Sequence, residues 1–142
     1  MGITIHQNVT FNHLPEILSL GYDYIVLDMG VLNQYTLPEF WRNDIHFVLG
    51  HSYPTKGPYY HNFINFIFSS FRGENLNKKH LKELKIRRNI SFLDNLGLKD
   101  NAKNFYKQYQ VSLDIVPFIQ NPFQLTSNEW RFFQALLKDF SI

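Results

Sequence analysis

The sequence predicts an α/β domain built on a mostly parallel five-stranded sheet with helices on both faces, and three observations carry that prediction. Short β-rich runs alternate with helical patterns along the chain. Two of the runs, Ile25-Val26-Leu27 and Phe47-Val48-Leu49, are continuously apolar, as strands covered on both faces require. The 142 residues are 44% hydrophobic and 17% aromatic, enough for one real core and too few for two ordinary domains, so one domain over 1–142 is expected.

The elements follow in order. Ile3-Thr4-Ile5-His6 reads as the first strand. Phe11, Leu14, Ile17 and Leu18 then recur at helical spacing, with Pro15 tolerated in the first turn and Gly21 as a stop. Tyr22 to Asp28 is the second strand. Thr36-Leu-Pro-Glu39 has the capping-box pattern of a short helix through Phe40 and Trp41, and Ile45 to Leu49 is the third strand. Tyr60, Phe63, Ile64, Ile67, Phe68 and Phe71 form a helical stripe whose ordinary use is core packing. From about 73 to 88 the composition turns polar and basic, and this stretch is expected to be a mobile excursion. Asn89 to Asp94 is the fourth strand, and Leu98, Ala102, Phe105, Tyr106 and Tyr109 mark the next helix. Val111 to Ile119 is the fifth strand, with Pro117 near its end, where the ladder can lose a donor. Thr126-Ser-Asn-Glu129 caps a last helix expected to bury Trp130, Phe133, Leu137 and Phe140 against the sheet.

In a parallel sheet, function gathers at the carboxyl ends of the strands. That rule selects Asn8, Asp28, His51, Ser52, Asp94, Gln120 and Asn121 for one rim. Between the third strand and the aromatic helix lies Gly50-His-Ser-Tyr-Pro-Thr-Lys-Gly57, where a phosphate loop would sit. Its order is wrong for one. A Walker A loop has its second glycine just before the lysine, so that backbone N–H groups close on phosphate, whereas here Thr55 precedes Lys56 and Pro54 removes a donor. Asp28 has the form of a Walker B aspartate, an apolar run ending in a carboxylate that can hold Mg²⁺ and water. The same position also suits an aspartate that caps the following turn.

Four segments, "YDYIVLDMG", "NDIHFVLGHS", "NISFLDN" and "VSLDIVPFIQNPF", resemble in that order the second half of the MinD/ParA-type deviant Walker ATPases, a P-loop NTPase-like half. The resemblance spans nearly the whole chain as a succession of elements. It implies that Asp28 is the Walker B aspartate and, in a completed site, the Mg²⁺ ligand. It implies that Pro117 belongs to the segment bordering the nucleotide, and that Asp94 or Asn95 stands near the base-recognising asparagine. Ser52 and Asn121 are nucleotide-proximal candidates by their places at strand ends, and Ser52 and Lys56 match no residue of the family whose role carries over. The lysine-bearing half is missing from the chain, so the resemblance implies a non-catalytic or partial domain that acts as an interaction or regulatory module, with no cofactor of its own. ATP and Mg²⁺ enter only if that half is supplied upstream or in trans. A receiver-like phosphoacceptor is the third reading, but its acidic pair and its lysine are replaced by Gln7-Asn8 and Gln120-Asn121.

Other chemistries are excluded by residue type. There is no cysteine, hence no disulfide and no thiolate chemistry. The six histidines show no metal-ligand spacing, and Ser52 lacks the G-x-S-x-G elbow. A net charge of +2 leaves Lys78, Lys79, Lys82, Lys85, Arg87 and Arg88 as the basic cluster, so nucleic acid is expected to bind weakly at most. No signal-peptide pattern and no spanning apolar run appear, which predicts a cytoplasmic protein whose partner is another protein or a second copy.

Overall fold

The computed structural model of the chain describes residues 3–51, 58–72, 78–95 and 97–138. The chain divides into two compact units, 1–42 and 43–142.

In the first unit a 3-10 turn, Phe11–His13, leads into helix α1, Leu14–Ser19, with Pro15 in its first turn, where the missing N–H costs nothing. The chain leaves it through Gly21 at φ +72°, a conformation that glycine adopts without strain. Helix α2, Leu37–Arg42, starts after an Asn33 turn whose side-chain oxygen accepts from the Tyr35 and Thr36 amides at 2.8 and 3.2 Å. Ile17 and Phe40 are the buried apolar side chains of this unit.

The second unit holds a three-stranded parallel sheet, in the order β1-β2-β3, where β1 is His46–Gly50, β2 Ile90–Asn95 and β3 Leu113–Val116. The register pairs Gly50 with Asp94 and Asp94 with Ile115. Helices α3, Pro58–Arg72, and α4, Lys78–Arg87, connect β1 to β2. Helix α5, Lys99–Tyr109, connects β2 to β3, and α6, Ser127–Lys138, follows. Central β2 is buried from Ile90 through Asp94, as a strand covered on both faces requires, whereas the continuously apolar β1 stands at the edge of the described sheet with Leu49 66% exposed, against the expectation that its run is covered on both faces. Its Phe92 is fully buried and meets Tyr60 and Phe63 of α3 and Phe105 of α5 at ring-centroid distances of 6.1, 6.4 and 5.6 Å. Ile64 and Ile67 complete the α3 stripe at 0% exposure.

Two expectations are corrected. The described sheet has three strands, not five. Ile3–His6 and Tyr22–Asp28 form no strand, and residues 23–27 make no backbone–backbone hydrogen bond to another described residue of the first unit. Tyr24 and Val26 are 67% and 94% exposed. Strand propensity describes a side chain that suits a pleated sheet, but the ladder needs a neighbour to close it. Helix α6 covers its apolar face only in part: Phe133 is half-buried, Trp130 and Leu137 are 54% and 43% exposed, Glu129 is its buried residue, and Phe140 lies outside the described residues. Within the stretch expected to be a polar excursion, α4 is a packed helix with Leu81 and Leu84 buried at the i, i+3 spacing of one face, while residues 73–77 lie outside the described residues.

Candidate functional site

The carboxyl edge of the sheet is organised around Asp94. Parallel register sets it between Gly50 and Ile115, and its side chain has no solvent exposure. The chain then folds back over it. A Cβ on Gly97 would collide with the Asp94 carboxylate and stand 3.0 Å from the Asp94 Cβ, so only glycine allows this approach. On the α3 side the Tyr60 hydroxyl donates to the Leu93 carbonyl at 2.6 Å. The Tyr60 ring lies so close to β1 that a Cβ on Gly50 would fall 2.7 Å from its Cζ. Burial, and next the Asp94 charge, push the Tyr60 phenol well above its ordinary range, against a lowering from the Gly50 backbone hydrogen bond. Tyr60 therefore stays a neutral donor that ties α3 to the ends of β1 and β2.

Two histidines fasten the same pair of strands. His51 Nδ1 lies 2.7 Å from the Asn95 carbonyl at the carboxyl end, and His46 Nδ1 lies 2.7 Å from the Arg88 carbonyl at the amino end. A carbonyl only accepts, so Nδ1 carries the proton in both rings. Across α3 and α5, the Tyr109 hydroxyl sits 3.0 Å from His61 Nδ1 and accepts from Gln108 Nε2 at 3.0 Å. Burial raises its pKa as well.

Of the residues expected at one rim, the second unit brings together Asp94 and His51. Asn95 and Pro117, which the resemblance put near the nucleotide, stand at the same edge, Pro117 directly following β3 beside the Asn95–Val116 pair. Asn121 is exposed further along, its side-chain oxygen accepting from the Phe123 amide at 3.0 Å. Ser52 and Lys56 lie outside the described residues, as does most of the glycine-bounded loop. Asp28 belongs to the first unit and ends no strand. It is exposed and accepts the Gly30 amide at 3.0 Å, where Gly30 has φ +58°. Its local structure is therefore the turn-capping alternative.

Sequence reasoning missed Tyr60 and Gly97. Tyr60 was hidden in the aromatic stripe, because nothing local distinguishes a ring that packs from one whose hydroxyl also bridges strands. Gly97, three residues after a strand-ending aspartate, was the legible signal for a tight return of the chain. Among the described residues no three His, Asp or Glu side chains gather as a metal site, and no helix is long and apolar enough to cross a membrane. Of the basic cluster, Lys79 and Lys82 are exposed on α4 and Arg88 is half-buried. No protein-family model, no curated protein and no solved structure matches the chain.

Proposed function

We propose that this chain is a non-catalytic or partial domain of the MinD/ParA-like kind, a cytoplasmic interaction or regulatory module that acts through a protein partner or a second copy. The observation that carries this reading is the run Tyr24–Leu27. Tyr24, Ile25 and Val26 are strong strand formers and Leu27 continues the apolar run, yet the run forms no strand, with Tyr24 and Val26 exposed and no backbone–backbone hydrogen bond to another described residue of the first unit. Such a run fits a strand completed by another chain, because its polar backbone and its apolar side chains are satisfied together when a neighbour pairs with it. The parallel strands β1, β2 and β3 coincide with three of the four segments on which the resemblance rests, and this supports the family reading. The enclosure of Asp94 supports the non-catalytic part, since that carboxylate meets no solvent.

The alternative of an active ATPase completed by a missing half is favoured by the same run, with Asp28 then serving as the Mg²⁺ ligand. Two measurements test the non-catalytic reading. Sedimentation velocity of the full chain should show self-association that Val26→Asp abolishes, and calorimetry with Mg-ATP should show no binding. Micromolar Mg-ATP affinity, corresponding to about 8 kcal/mol and lost in Lys56→Ala, would overturn the non-catalytic reading. A chain that stays monomeric with or without the substitution would remove the role given to the Tyr24–Leu27 run in self-association.

A further inference from the structure

A groove of about 430 Å³ runs between α5 and β3, with Tyr106, Leu113 and Ile115 among its lining residues. Lys99, Lys103 and Lys107 line it too, spaced four apart and therefore on one face of α5. Tyr106 is 53% exposed, and Lys103 pairs with Asp100 at 3.1 Å in an exposed ion pair of little energetic weight. The lysine row thus gives a mainly apolar groove a cationic side.

Two further features say what fits there. Strand β3 pairs with β2 on one side, and among the described residues no strand covers its other side. A strand added along that edge would lie about 4.8 Å from β3, and its alternate side chains would fall beside Leu113 and Ile115, in the groove. Successive lysines of the row are about 6 Å apart along the helix axis, while alternate side chains of a strand repeat every ~6.6 Å. The two repeats stay in step over the three lysines. Glutamates at alternate positions would lay their methylene stems on Tyr106, Leu113 and Ile115 and bring their carboxylates to the lysine row.

We propose that the groove between α5 and β3 is the docking surface for an acidic extended segment of a partner protein, which adds as a strand beside β3 and sets alternate carboxylates against Lys99, Lys103 and Lys107. This rests on the interaction-module reading and names its surface and its partner chemistry. Nucleic acid is the poorer fit, because an apolar floor with one aromatic ring offers little stacking for successive bases.

The test uses the full chain and a fluorescein-labelled peptide that alternates glutamate with valine, followed by anisotropy. Saturable binding that weakens with salt is expected. The double variant Lys99→Glu/Lys103→Glu, altered only at exposed side chains and checked for an unchanged Tm, should bind this peptide about tenfold more weakly and should prefer a peptide alternating lysine with valine. N-methylation of alternate peptide amides on the β3 side should abolish binding. Equal affinity of the native chain and the double variant for the peptide, or indifference to N-methylation, overturns the proposal. A single-stranded oligonucleotide that binds more tightly, competes with the peptide and is lost in the double variant overturns it in favour of nucleic acid. Failure of the peptide while Val26→Asp still abolishes self-association removes this groove and leaves the interaction-module reading standing. Mg-ATP binding strikes that reading whatever the peptide does.

Discussion

Replacing Tyr60 by phenylalanine isolates one oxygen atom at the edge of the sheet. The ring contacts survive, since Phe can keep the edge-on approaches to Phe92 and Phe105 seen at 6.1 and 5.2 Å. What is lost is the hydroxyl that donates to Leu93 at 2.6 Å from a side chain only 3% exposed. A buried hydrogen bond broken on one side costs about 1–3 kcal/mol, so Tyr60→Phe should lower the unfolding free energy by that amount at neutral pH with no change in the urea m-value. Trp41 and Trp130 supply a fluorescence signal for the titration.

The same substitution has a second, pH-dependent signature. Burial and the Asp94 charge raise the folded-state pKa of Tyr60 above its unfolded value of about 10. Below that pH both states hold the phenol proton and the stabilisation is complete. Above it the unfolded chain releases the proton first, and stability falls by up to about 1.4 kcal/mol per pH unit for Tyr60. Tyr109 shifts in the same direction, so the native chain should lose stability through both groups and Tyr60→Phe through one fewer. Urea titrations at neutral pH and above pH ~10 read the difference between the two slopes. Identical alkaline slopes, or a Tyr60 phenolate that forms near the ordinary pKa while the chain is still folded, would refute the reasoning.

Two further outcomes follow from close contacts at element ends. Gly97→Ala should cost about 1–3 kcal/mol because its Cβ meets the enclosed Asp94, and the cost should shrink in an Asp94→Ala background. Additive losses in that double-mutant cycle would show that the contact is not the cause. Thr126→Ala should destabilise the chain by about 0.5–2 kcal/mol, measured by urea denaturation, because the Thr126 hydroxyl faces the Glu129 amide at 3.4 Å while the Glu129 carboxylate accepts the Thr126 amide. An unchanged midpoint would deny the capping box its role in starting α6.

Where an element is specified by local chemistry, the sequence was legible. The Thr126–Glu129 box starts α6 because both partners lie within one turn. The stripe of Tyr60, Ile64 and Ile67 became the buried side of α3 because helical periodicity alone puts them on one face. The β-rich segment from Ile90 to Leu93 became the central strand, with Asp94 near its carboxyl end. The candidate site was half legible for the same reason. Strand ends can be read from the sequence, so Asp94, Asn95 and His51 were placed correctly, whereas Asp28 was assigned to a strand end that the first unit does not form.

By itself, then, the sequence determined the α/β alternation, the helix starts, the order of the elements and the aromatic character of the core, because each depends on residues a few positions apart. Only the tertiary structure decided how many runs became strands, that α6 leaves Trp130 and Leu137 exposed, that Tyr60 bonds Leu93 and that Gly97 closes over Asp94. These depend on pairs such as Tyr60 and Leu93, 33 residues apart in the chain. Propensity says which partner a strand or a helix face would accept, but not whether the chain's path brings one within hydrogen-bonding distance.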